Sequence, residues 1–227
     1  EKQGRYNHQK DIRLTEQWSR IIMHLPYAFQ AKRMFPDIFR HDRQDTEYWK
    51  SIAEQLGPMP AEHNSEDPLI IEIWEKAMDG YRRAISKTPE YLDFHASRIE
   101  KGQRASSLIG NQYTGSIFLA LMSTFESDLE DNSNLDNELF GLCGYGSGAK
   151  AKVFEGKVSP RWREVVSRWH LFERLGGRVA IDHITYENLH KGLQDDSVVT
   201  PKSEFALIEI GDEGVDEGAR RYKWIGA

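Results

Sequence analysis

The sequence predicts a mixed α/β fold, and three observations carry that prediction. Short apolar runs of strand length, among them residues 21–23 and the stretch LFGLCGYGSG, alternate with longer stretches whose apolar residues recur at helical spacing. Glycine and proline fall at the ends of these stretches, where they stop one element and start the next. Hydrophobic residues make up 39% and aromatic residues 11% of the 227 positions, enough to bury a sizeable core between layers of helix and strand.

Each element follows in order. Thr15 to Trp18 belong to a short helical or loop entry. Residues 21–23 read as a buried strand, with His24 at its carboxyl end. Pro26 fits the first helical position, where an N–H has no partner in any case, so a helix is expected over 27–34 until Pro36 interrupts it. A second helix is expected over 46–56, stopped by Gly57 and the loop GPMPAEHNSEDP. Pro68 starts a third, in which Leu69, Ile70, Ile73, Trp74, Ala77 and Tyr81 mark one apolar face. A short helix, PEYLDFHASRI, follows. After Gly102 the pattern predicts a short strand, a turn at Gly110–Asn111 and an apolar helix over 114–125. The acidic stretch ESDLEDNSNLDNE reads as a solvated loop. LFGLCGYGSG reads as a buried strand ending in a glycine turn, and AKAKVFEGKV alternates like an adjoining strand. PRWREVVSRWHLFERLGG reads as one helix ended by glycine, and DHITYENLHKG as a shorter one. EFALIEIGDEG and RRYKWI form a closing hairpin.

Composition narrows the function classes. A net charge of −6 argues against nucleic acid as the main partner. No apolar run approaches the roughly 18 residues of a membrane span, so no membrane partner is expected. The single Cys143 excludes an intrachain disulfide and fits a reducing compartment, and a cytoplasmic protein is expected. No signal peptide is visible. EKQGRYNHQK has no starting methionine, so the natural N-terminus is expected to lie upstream.

Several positions invite chemistry. Cys143 sits in an apolar strand without a charged neighbour in sequence, whereas a reactive thiolate needs an electropositive, accessible setting. It reads as a buried core thiol. The eight histidines are scattered, with no metal-binding spacing; His183 and His190 can share a helix face, which reads as solvated surface. No metal is expected. The loop GYGSG is either a tight turn between strands or a place where backbone and the Ser147 hydroxyl approach a ligand. In GNQYTGS, Asn111 either caps the following helix or aims its amide at a carbonyl oxygen. His24 is either a core histidine or a functional group at a strand's carboxyl end, where ligand sites of open α/β sheets lie.

Taken together, MHLPY, GNQYTGS and GYGSG resemble, in that order, the second half of the 3-hydroxy-3-methylglutaryl-CoA synthase family. The family's histidine motif H-x-P-[YF] is matched by His24, Pro26 and Tyr27, its G-N-x-Y-T motif by Gly110, Asn111, Tyr113 and Thr114, and its Y-G-S-G turn by Tyr145 to Gly148. The resemblance implies the C-terminal half of a thiolase-like α/β/α layered fold over residues 1–227, with a helical insertion at 36–104. It implies an acyltransferase that condenses acetyl-CoA with acetoacetyl-CoA in the mevalonate pathway of isoprenoid biosynthesis. CoA thioesters would be its substrates, with no cofactor and a homodimer as the complete enzyme.

In such an enzyme a first-half cysteine is acetylated and a first-half glutamate deprotonates the acetyl methyl. His24 would polarise the acetoacetyl ketone, Asn111 would hydrogen-bond the same substrate, and Ser147 would line the acyl pocket, with Pro26, Tyr27 and Tyr113 beside them. The N-terminal half is therefore an expected partner, and this half alone is expected to be inactive. The family carries basic residues five and nine places after the histidine, facing CoA phosphates. Here those places hold Phe29 and Arg33, with Lys32 adjacent. A relative that performs polyketide β-branching on a carrier-bound acetoacetyl group, or a non-catalytic half-domain, are the alternatives.

Overall fold

A computed structural model describes residues 13–146, 150–194 and 196–226. The chain divides into two compact units, Glu1–Leu175 and Gly176–Ala227. In the first, α1 (Leu14–Gln17) leads into β1 (Arg20–Met23), whose Ile21, Ile22 and Met23 are buried. β1 pairs in parallel with β2 (Leu139–Gly146), and β2 pairs antiparallel with β3 (Lys150–Lys157), in the order β1–β2–β3. A parallel pair needs a long crossover. Here six helices make up most of it: α2 (Gln30–Arg43), α3 (Glu47–Leu56), α4 (Pro68–Ile85), α5 (Pro89–Arg98), α6 (Glu100–Ile109) and α7 (Ser116–Glu130).

The strand expected at 21–23, the two adjoining strands of LFGLCGYGSG and AKAKVFEGKV and the closing hairpin are present, and α3, α4 and α5 begin where the sequence places them. Side chains of Thr46, Asp67 and Thr88 accept hydrogen bonds from the N–H groups of Trp49, Leu69 and Tyr91, satisfying helix starts that would otherwise lack acceptors.

Five elements differ from expectation. α2 begins at Gln30, beyond Pro26 and Tyr27, and runs straight through Pro36. Proline leaves the carbonyl four residues earlier without its helical donor. That carbonyl belongs to Lys32, and the Tyr91 hydroxyl donates to it at 3.0 Å. On α4 the apolar face is buried only at its end, at Met78, Tyr81 and Ile85, whereas Leu69, Ile70 and Ile73 are exposed. The stretch read as a strand after Gly102 is the helix α6. Its Gly102, Ala105 and Ser106 are buried, and a Cβ on Gly102 would lie 3.2 Å from Thr124 Oγ1, so small residues let the two helices approach closely. Ser123 joins them, donating to the Lys101 carbonyl and accepting from the Ala105 N–H.

The fourth difference is the acidic stretch, which is no solvated loop at its start: α7 continues to Glu130 with Glu126 and Asp128 buried. Asp128 receives Arg20 Nε at 2.8 Å and Lys101 Nζ at 2.6 Å. The fifth is the helix expected after Pro160, which is two helices, α8 (Trp162–Val166) and α9 (Leu171–Gly176), broken at His170 with φ 55. The Glu126 carboxylate accepts from the Leu171 and Phe172 N–H groups and so starts the second helix.

The sheet is locked from beneath by Trp18. Its ring occupies the space over Gly141, where an added Cβ would lie 2.2 Å from ring atoms, and its indole N–H donates to Glu155 at 2.6 Å. The second unit, described by itself, holds α10 (His183–His190) and the antiparallel hairpin β4 (Glu204–Ile210) and β5 (Arg220–Ile225). Among the described residues no helix is long and apolar enough to cross a membrane, and no group of three or more His, Cys, Asp or Glu could hold a metal ion.

Candidate active site at the carboxyl edge of the parallel strands

The last register pair of β1 and β2 is Met23 with Cys143, and the ladder reaches one residue further: the His24 N–H donates to the Cys143 carbonyl at 3.0 Å. The His24 backbone is therefore fixed by the sheet while its side chain leaves it. His24 is half-buried between the buried Met23 and Leu25 and stands outside the core cluster. Its imidazole has no hydrogen-bond partner among the described residues. What it touches is the Tyr145 ring, edge-to-face, with centroids 5.0 Å apart and planes at 89°.

The start of α7 lies at the same edge. A Cβ on Gly144, one residue past the Met23–Cys143 pair, would meet Ile117 Cδ1 at 3.8 Å. Just before it, Gly110 takes φ +91, a conformation that favours glycine. Asn111 Oδ1 then accepts from the Tyr113 N–H at 2.7 Å, leading into a single 3₁₀ turn, Tyr113–Gly115. Asn111 is thus a local turn-former, and the side-chain cap of α7 is absent. The amide oxygen is used internally, and the amide nitrogen, which has no partner among the described residues, is the end left for a ligand. Asn111 and Tyr113 are exposed. No hydrogen bond joins Asn111 to His24 among the described residues.

The remaining expected residues fall into two groups. Pro26 is half-buried and Tyr27 exposed, and the Tyr27 hydroxyl accepts from Arg33 Nη1 at 3.2 Å, so Tyr27, in the loop before α2, sits against Arg33 on the helix's first turn. Lys32 is half-buried one residue earlier, and Phe29 is 64% exposed. Ser147 lies outside the described residues. Cys143 is half-buried, and burial pushes its thiol up to about 11, which keeps it protonated at neutral pH and fits an inert thiol. Two residues missed by sequence reasoning complete the edge: Tyr145, and Gln30, whose amide nitrogen donates to the Tyr145 hydroxyl at 3.2 Å. Tyr145 was visible only as part of the Y-G-S-G match, and Gln30 had no signal.

A family model described as hydroxymethylglutaryl-coenzyme A synthase C terminal matches residues 2–206. The chain belongs to this family. A hydroxymethylglutaryl-CoA synthase of Haloferax volcanii is 26% identical over 211 residues, covering 90% of this chain and 46% of that protein. A hydroxymethylglutaryl coenzyme A synthase of a Fusarium species is 29% identical over 185 residues, 76% of this chain and 36% of its own length. The chain thus spans less than half the length of these hydroxymethylglutaryl-CoA synthases. Two solved structures share its fold across 96% of the chain. One is MvaS in complex with 3-hydroxy-3-methylglutaryl coenzyme A, with TM-score 0.64, 22% identity and 44% of that chain covered. The other is the HMG synthase of the curacin biosynthetic pathway in complex with holo donor-ACP, with TM-score 0.62, 16% identity and 46% covered. The fold is accordingly thiolase-like α/β.

Proposed function

We propose that this chain supplies the acetoacetyl-binding side of a hydroxymethylglutaryl-CoA synthase that condenses acetyl-CoA with acetoacetyl-CoA. The reading is supported by a histidine at the end of β1 and an asparagine amide nitrogen just before α7, neither of them hydrogen-bonded through that group among the described residues. In the proposed reaction a carbanion from an enzyme-bound acetyl thioester attacks the acetoacetyl ketone, forming a carbon–carbon bond and turning the ketone oxygen into an alkoxide. His24 polarises that oxygen and gives it a proton, and Asn111 donates an amide N–H to the same substrate. Only donors help an oxyanion, and Asn111 offers its donor end because the Tyr113 N–H holds its oxygen.

The cysteine that carries the acetyl group and the glutamate that deprotonates it belong, in this reading, to an N-terminal half, and the complete enzyme is a homodimer. Cys143 takes no part. Asn111→Ala in the complete synthase should slow condensation by about 10²–10³-fold while leaving acetylation of the nucleophile intact. Stopped-time assays with labelled acetyl-CoA measure both steps, and unchanged condensation would remove Asn111 from the site. A second reading has support from Phe29, an exposed aromatic where the family carries a base facing CoA phosphates: the acyl group would then arrive on a carrier protein. Saturation by carrier-bound acyl groups far below the concentration needed of the CoA thioester would favour it.

A further inference from the structure

We infer that Gln30 is a positioning residue for His24, acting through Tyr145. The β1 ladder fixes the His24 backbone, but nothing among the described residues hydrogen-bonds its ring. The ring's orientation therefore rests on packing, and its aromatic neighbour is Tyr145 at 5.0 Å and 89°. Such an edge-to-face contact is directional, so it holds the imidazole only while the phenol itself stays in place. Tyr145 is the last residue but one of β2, and it is half-buried. The Gln30 amide nitrogen, which also lies 2.7 Å from Met34 Sδ, donates to the phenol oxygen at 3.2 Å.

Gln30 is well placed for this task. It is the first residue of α2, and its own N–H donates to the Tyr27 carbonyl at 3.0 Å, closing the loop that leaves His24. That loop is thus tied to β2 twice, by the His24 N–H to Cys143 at its start and by Gln30 to Tyr145 at its end. Gln30 to Tyr145 to His24 forms a chain of two contacts that orients an imidazole without a hydrogen bond of its own among the described residues. The catalytic consequence rests on the function proposed above; the positioning itself does not.

The test reads the His24 ring directly. In protein labelled with ¹⁵N and ¹³C on histidine, the ring-proton shifts and the nuclear Overhauser contacts to Tyr145 report orientation. Gln30→Leu should move the His24 ring signals and weaken those contacts, while the rest of the spectrum stays put. Tyr145→Phe, which keeps the ring and removes only the hydroxyl, should do the same, and the double variant should add nothing further. Gln30→Glu should restore the contacts, because the Tyr145 hydroxyl can donate to a carboxylate. In the complete synthase Gln30→Leu should lower kcat for condensation about tenfold, with the rate of acetylation unchanged.

Unmoved His24 signals in folded Gln30→Leu, or in folded Tyr145→Phe should the first variant misfold, would overturn the inference. Additive effects in the double variant would overturn it as well. Moved signals together with normal condensation by a His24→Ala enzyme would leave the positioning standing and defeat the proposed reaction instead.

Discussion

Arg20 begins β1 and His24 follows its end, yet the two residues live under opposite conditions. Arg20 grips Asp128 through Nε and Nη2, and Lys101 adds a third contact to a carboxylate that is fully buried. His24 has no side-chain hydrogen bond among the described residues and lies half-open to solvent. The same contrast runs along α7, from the buried Asp128 near its carboxyl end to Asn111, exposed just before its start with a spare amide nitrogen. A buried polar group left without a partner costs stability, so Asp128 needs its cations, whereas the open side chains of His24 and Asn111 can be served by water until a ligand replaces it. The buried, paired end is scaffold, and the open end is where a ligand can take the place of water.

The largest structural effect should come from the scaffold end. Burial alone would raise the Asp128 carboxyl, but hydrogen bonds from Arg20 and Lys101 outweigh it and hold the group below its ordinary value. Asp128→Ala would strand the Arg20 charge and should lower stability by about 3–5 kcal/mol in denaturant titrations. A loss well under 1 kcal/mol would show that this end is no tighter than the other.

Tyr91→Phe should cost less, about 1–2 kcal/mol, because it removes the hydroxyl that serves the Lys32 carbonyl orphaned by Pro36. Pro36→Ala restores a helical donor there, so the penalty of Tyr91→Phe should shrink in that background. An equal penalty in both backgrounds would separate Tyr91 from the proline.

A smaller effect concerns pH. Burial holds the His95 imidazole below its ordinary value of 6.5, and Lys32 pushes the same way, while Glu100 and the Gln103 hydrogen bond oppose without prevailing. The unfolded chain therefore binds the proton first. His95 contributes stability fully above pH 6.5, and that contribution declines as the pH falls from there through its lower folded value. Melting temperature should fall over that acid range, and His95→Gln should flatten the decline. A slope unchanged in that variant would assign it elsewhere.

What the sequence made legible follows the same division between local and distant causes. Thr46, Asp67 and Thr88 cap helices through neighbours two or three residues away, so α3, α4 and α5 could be placed from local signals. α2 passes through Pro36 only because of a tyrosine 59 residues from Lys32, and the acidic end of α7 is buried only because Arg20 lies 108 residues away. Ser106 and Ser107 weaken the helical pattern of α6, whose stability comes from close packing on α7. At the site, His24 and Asn111 were legible through short motifs that set their own backbone geometry. Gln30 was not, because its role exists only across the 115 residues that separate it from Tyr145.

The most direct test of the division between scaffold and reactive edge is His24→Ala in the complete synthase, with acetylation, condensation and thermal unfolding measured on one preparation. The account predicts a protein that unfolds at nearly the normal temperature, accepts the acetyl group at the normal rate and forms the carbon–carbon bond about 10²–10⁴-fold more slowly. A folded His24→Ala enzyme that condenses at the wild-type rate would contradict it.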